Sequence, residues 1–205
     1  MFRSGIIYYN AQSSSSDGAR INTVLVVAAV GPSGSGKTTT IEYLINRFSD
    51  EGYSVGAIKH IHHKDFSIDR EGTNTWRYAQ AGSKVVVAIS PTEIDIIKKT
   101  ERELKDLDKI LSLLDNERLD IVFIEGFHNL IAKRADVPKI VTAKDQADLE
   151  RTLQGTMPPI LAATGPVADN ASGTCFGEIP LIKVPQDGEK IVKLIRSRLE
   201  ERTDT

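Results

Sequence analysis

One cysteine, one tryptophan and two methionines in 205 residues leave several chemistries without material. A lone thiol, Cys175, excludes an internal disulfide and any cysteine-built metal site within one chain. It reads as a small buried or loop residue. An excess of either charge is also missing: 26 Lys and Arg against 28 Asp and Glu leave a net charge of −2, so bulk electrostatics do not point to nucleic acid. The longest apolar run, residues 24–30, is far shorter than the ~20 residues of a membrane-spanning helix. The start of the chain lacks the apolar stretch of a signal peptide. The expectation is a cytoplasmic protein.

What is present is an ordinary globular composition, 40% hydrophobic and 26% charged, in a length that suits one α/β domain. Residues 1–20 hold the polar tract Ser13-Ser14-Ser15-Ser16-Asp17-Gly18 and read as a flexible leader. Residues 21–205 read as a single nucleotide-binding domain. From Thr23 onward, short β-branched runs alternate with longer amphipathic stretches, the pattern of βαβ units around a parallel sheet. Strands are expected at 24–30, 55–59, 85–89, 121–124, 139–142 and 160–163. Most are continuously apolar, so the expected fold is a three-layer sandwich, a mostly parallel sheet with helices on both faces.

Three helices carry apolar stripes that belong to the core. The first, 38–50, has Ile41, Leu44, Ile45 and Phe48 at helical spacing and stops at Gly52. The second, 100–116, has Leu104, Leu107, Leu111 and Leu114 on one side, and a terminal helix from about Asp187 has Ile191, Leu194, Ile195 and Leu199. A further helix is expected to open at Asn74 or Thr75, either of which can cap it, and to end near Gly82. Trp76 on it suits the core or an interface.

The decisive motif is Gly31-Pro32-Ser33-Gly34-Ser35-Gly36-Lys37-Thr38, placed after an apolar strand and before an amphipathic helix. This is a Walker A phosphate loop. Its glycines let successive backbone N–H groups turn toward phosphate oxygens, and the free amides opening the next helix add partial positive charge. Lys37 reaches the β- and γ-phosphates, and Thr38 offers its hydroxyl to Mg2+. Gly31, Ser33, Gly34, Ser35, Gly36, Lys37, Thr38 and Thr39 are therefore the candidate phosphate contacts.

Ligands of an open parallel sheet bind at the carboxyl ends of its strands. The second expected strand ends in Lys59-His60-Ile61-His62-His63-Lys64-Asp65, and the fourth in Glu125-Gly126-Phe127-His128. Glu125 stands where a Walker B acid contacts the metal or orients water, and Asp65 is a candidate second carboxylate. Lys37, Glu125 and Asp65 are the candidate catalytic groups, and Thr38, Asp65 and Glu125 the candidate metal ligands. Alternation puts His60 and His62 on one side, a pair suited to zinc or nickel or simply to loop hydrogen bonds. Arg77 suits a phosphate, a partner or solvent.

The phosphate loop, Ile58-Lys59-His60 with His62, His63 and Asp65, the segment from Asp69 to Arg77 with Ala81-Gly82, and Glu125-Gly126-Phe127 together resemble the MobB family, the molybdopterin-guanine dinucleotide biosynthesis protein B. The resemblance covers residues 23–142. It implies a GTP-binding, weakly GTP-hydrolysing homodimer that assists a molybdopterin guanylyltransferase in attaching GMP to molybdopterin, with molybdopterin itself a further candidate ligand. It also implies that Lys59, His60, Asp69 and Arg77 line the surface beside the phosphates. The chain departs from the family at Glu71, Asn74 and Thr75, where proline, aspartate and serine are common.

Guanine is an implication of the resemblance alone, since Asn-Lys-x-Asp is absent. The base pocket falls to Ala163-Thr164-Gly165 or to Thr142-Ala143-Lys144-Asp145. Two other functions share the same motifs. A small-molecule kinase or ligase needs an acceptor pocket or lid, for which 90–100 and 169–179 are the available stretches. A nucleotide-dependent metal chaperone would use the histidines.

Overall fold

The computed structural model describes residues 24–63, 65–100 and 103–203. The expected leader, 1–20, lies outside them. The chain runs β1 (Leu25–Val30), α1 (Lys37–Asp50), β2 (Val55–Lys59), α2 (Asn74–Gln80), β3 (Val85–Ile89), β4 (Ile94–Lys98), α3 (Leu107–Leu111), β5 (Ile121–Glu125), α4 (His128–Ile131) and β6 (Lys139–Thr142). It continues with α5 (Gln146–Gln154), β7 (Ile160–Thr164), α6 (Pro166–Asp169), β8 (Cys175–Phe176), β9 (Ile179–Pro180) and α7 (Glu189–Thr203).

Five strands form a parallel sheet in the order β2-β5-β1-β6-β7. Its central strand, β1, is buried along its whole length, and this is why it reads as an unbroken apolar run. Alternate residues feed opposite layers. Leu25, Val27 and Ala29 pack with Ile41, Leu44 and Phe48 of α1 and with Ile191 and Ile195 of α7. Val26, Ala28 and Val30 pack with Leu107 of α3, Ile131 of α4 and Leu149 of α5. The expected three-layer sandwich is the fold observed.

Two expectations need correction. Residues 85–89 do form a strand, but β3 pairs antiparallel with β4 in a two-stranded ribbon outside the main sheet, with Val87 opposite Ile96 and Ile89 opposite Ile94. An apolar run records only that a surface wants covering; it does not say which surface covers it. The 100–116 helix is much shorter. Asp106 accepts hydrogen bonds from the amides of Asp108 and Lys109 and so caps α3, which passes into a 3-10 turn at Ser112–Leu114. Leu107 is buried, whereas Leu104 lies before the cap and is exposed.

Smaller differences follow the same logic. The cap of α2 is Thr73, whose hydroxyl accepts from the Trp76 amide, and neither the expected Asn74 nor Thr75. Asp69 accepts from the hydroxyls of Thr73 and Thr75, tying the turn before α2 together. Cys175 is exposed on β8.

Candidate functional site

The phosphate loop lies between β1 and α1, and the close approach of β6 leaves its first glycine no alternative. A Cβ on Gly31 would sit 2.0 Å from the Thr142 carbonyl oxygen, and its φ of 152° adds strain for any L side chain. Ser35 is fully buried beneath the loop. Its hydroxyl lies 2.8 Å from the Pro32 carbonyl, to which it donates, and 2.5 Å from the Thr142 hydroxyl. Its side chain therefore braces the loop instead of facing the cleft. Thr142, which opens one of the two stretches expected to supply the base pocket, carries this bracing role. No short-range pattern marks that role, since the contact joins residues 107 positions apart.

A cleft of about 990 Å3 opens over the loop. Gly31, Ser33, Gly34, Gly36, Lys37, Thr38 and Thr39 line one side of it, and Lys59, His60 and Glu125 the other. All four histidines line it as well. Four expected site residues are not part of this wall: Ser35 is buried below it, Asp65 is exposed on the loop after β2, Asp69 belongs to the turn before α2, and Arg77 is exposed on α2. Neither 90–100 nor 169–179, the candidate lids, contributes a lining residue.

The chemistry concentrates where β2 and β5 end side by side, with Lys59 and Glu125 partners in the parallel register. The Thr38 hydroxyl donates to Glu125 Oε2 at 2.9 Å, and Lys59 Nζ lies 3.1 Å from the same oxygen and 3.4 Å from Thr38 Oγ1. These oxygens are hard donors of the kind magnesium prefers, and the ammonium resting on both shows that the pair accommodates a cation. Lys37 Nζ donates to the carbonyls of Gly31 at 2.9 Å and Pro32 at 2.6 Å. Burial lowers the pKa of Lys37, the Glu125 carboxylate opposes that shift, and neighbouring Lys59 adds to it.

The far wall is aromatic. His60 stacks on Phe127 with ring centroids 4.2 Å apart, and His62 meets His60 edge to face at 4.1 Å. Gly126 permits this docking, since a Cβ there would come within 2.9 Å of the His60 Cβ. Burial, with His62 nearby, lowers the His60 pKa. His128 Nε2 lies 2.9 Å from Thr156 Oγ1, which donates its own proton to the Thr152 carbonyl. His128 must therefore be the donor, which sets its proton on Nε2, and burial lowers its pKa. Among the described residues, no three His, Cys, Asp or Glu side chains are grouped to hold a metal ion. In the base-pocket candidates, Asp145 is spent on capping α5 through the Asp148 amide. Among the described residues no helix is long and apolar enough to cross a membrane.

Comparison with known proteins bears on this arrangement. The family model described as "Molybdopterin guanine dinucleotide synthesis protein B" matches residues 26–164. A Methanocaldococcus jannaschii protein provisionally named a molybdopterin-guanine dinucleotide biosynthesis adapter protein is 39% identical over 121 residues, covering 59% of this chain and 48% of that protein. The chain thus spans about half the length of this relative. The adapter protein of Haemophilus influenzae is 33% identical over 125 residues, covering 61% of this chain and 66% of its own length. Among solved structures, Bacillus subtilis MobB superposes with a TM-score of 0.65 at 24% identity, over 83% of this chain and 97% of that one.

Proposed function

The chain belongs to the MobB family, and from that premise we propose that it is a GTP-binding accessory protein of molybdopterin-guanine dinucleotide biosynthesis, assisting a guanylyltransferase that attaches GMP to molybdopterin. The observation that carries the reading is the convergence of Thr38, Lys59 and Glu125 on one point of the cleft at the start of α1, with Lys37 held at the carbonyls of the adjoining loop. The amides opening α1 and the Lys37 ammonium take the phosphates. Thr38 and Glu125 would hold Mg2+, which would neutralise phosphate charge. Hydrolysis is slow, because among the described residues no arginine lines the cleft, and Arg77 stands on α2 outside its wall. Asp65 enters only on rearrangement of its exposed loop.

We assign the homodimer contact to the β3–β4 ribbon. Val87, Ile89, Ile94 and Ile96 share one face, and they are 52%, 76%, 66% and 61% exposed. An apolar face of that extent calls for a partner, and a second copy supplies an identical, self-complementary surface.

Calorimetric titration with GTP and with ATP, each with Mg2+, tests the reading. GTP is expected to bind more tightly, and Lys37→Ala to lose at least about tenfold in affinity. Equal or better ATP binding would move the assignment to the kinase class, and unchanged affinity in the variant would remove the phosphate contacts.

A further inference from the structure

We propose that Lys59 is a built-in competitor for the divalent cation, and that the ion's arrival transfers its ammonium to the γ-phosphate. This rests on the reading of the cleft as a Mg2+–GTP site and names the residue that senses the third phosphate.

The argument begins with the sheet. Lys59 and Glu125 are register partners at the last rung of β2 and β5, and the His60 amide donates to the Glu125 carbonyl at 2.9 Å, closing the rung above them. Both side chains therefore leave the sheet at the same level, beside Thr38. The ammonium lies within hydrogen-bond reach of both oxygens that would ligate the metal. A monocation and a dication thus contend for one pair of donors.

Mobility decides which partner yields. The Glu125 side chain is 15% exposed and sits on a strand buried on both sides, whereas the Lys59 side chain is 53% exposed on a four-carbon stem. When a doubly charged ion sits on Thr38 and Glu125, like-charge repulsion expels the ammonium and the scaffold stays in place. Lys37 already sits at the loop carbonyls, so the anion left for the expelled ammonium is the terminal phosphate of a bound triphosphate. Diphosphate lacks that anion. Lys59 then contributes in cis a positive charge of the kind that other P-loop proteins take from an arginine.

The test uses the full chain and its Lys59→Met variant, which keeps the stem and removes the charge, with thermal unfolding to verify that both are folded. Mn2+ binding is measured by water-proton relaxation without nucleotide, and the affinities for GDP and for a β,γ-imido GTP analogue are measured with Mg2+. The variant is expected to bind Mn2+ on the order of tenfold more tightly. It is also expected to weaken for the triphosphate analogue on the order of tenfold while changing little for GDP. Unchanged Mn2+ affinity, or equal losses for the two nucleotides, would overturn the proposal. A wild-type chain that binds no nucleotide would instead overturn the functional reading and the γ-phosphate role with it, while tighter Mn2+ binding by the variant would still establish the competition.

Discussion

Thr142 shows how a residue with no motif of its own governs one that has. Its hydroxyl reaches Ser35 under the phosphate loop, and its carbonyl is the wall against which Gly31 is pressed. Thr142→Val keeps the shape and removes the hydroxyl, leaving the buried Ser35 oxygen one partner short. The expected cost is about 1–2 kcal/mol of stability, measured by urea unfolding, together with weaker GTP binding as the loop loosens. An unchanged midpoint and unchanged affinity would show that the brace is dispensable. Neither Thr142 nor Ser35 could be assigned this role from sequence, because the contact joins residues 107 positions apart. Lys37 and Thr38, by contrast, were legible, since their chemistry is dictated by neighbours within eight positions of the motif.

At the scale of elements, the ribbon is the part the sequence described least well. Residues 85–89 carry the composition of a buried parallel strand, yet four side chains on one face of the ribbon are in solvent. Lid candidate 90–100 turns out to supply β4. Hydrophobic composition reports a demand for burial, and a partner chain meets that demand as well as a helix layer does. Changing Val87 to Lys together with Ile96 to Glu places opposite charges on a directly paired position, so the ribbon keeps its cross-strand contact while its face becomes polar. Sedimentation equilibrium is expected to show the double variant as a monomer where the parent is a dimer. A variant that still dimerises would move the interface elsewhere.

For the molecule as a whole, the site is assembled from β1, α1, β2, β5 and β6, four of the five strands of the sheet with the first helix of the layer over them. Ligand binding is then linked to global stability, because the unfolded chain holds no phosphate loop. GTP with Mg2+ at about one hundred times its dissociation constant should add about 2.7 kcal/mol, a rise in Tm of roughly 5–10 °C for a chain of this size. Scanning calorimetry against nucleotide concentration checks it. A Tm indifferent to GTP but raised by ATP would contradict the assignment of the base.

By itself the sequence determined the things that short-range pattern controls. These are the five strands of the parallel sheet, the phosphate loop with Lys37 and Thr38, the α1 stripe of Ile41, Leu44 and Phe48, and the placing of Lys59 and Glu125 at strand ends. Strand and helix periodicity and the chemistry of a glycine-rich turn are local properties, so they survive in a one-dimensional reading. Only the tertiary structure decided the strand order, the detachment of the ribbon, the brace from Thr142 and the contact of Lys59 with Thr38 and Glu125. Each of these depends on which distant segments share a neighbourhood, and that is settled by packing the whole core at once.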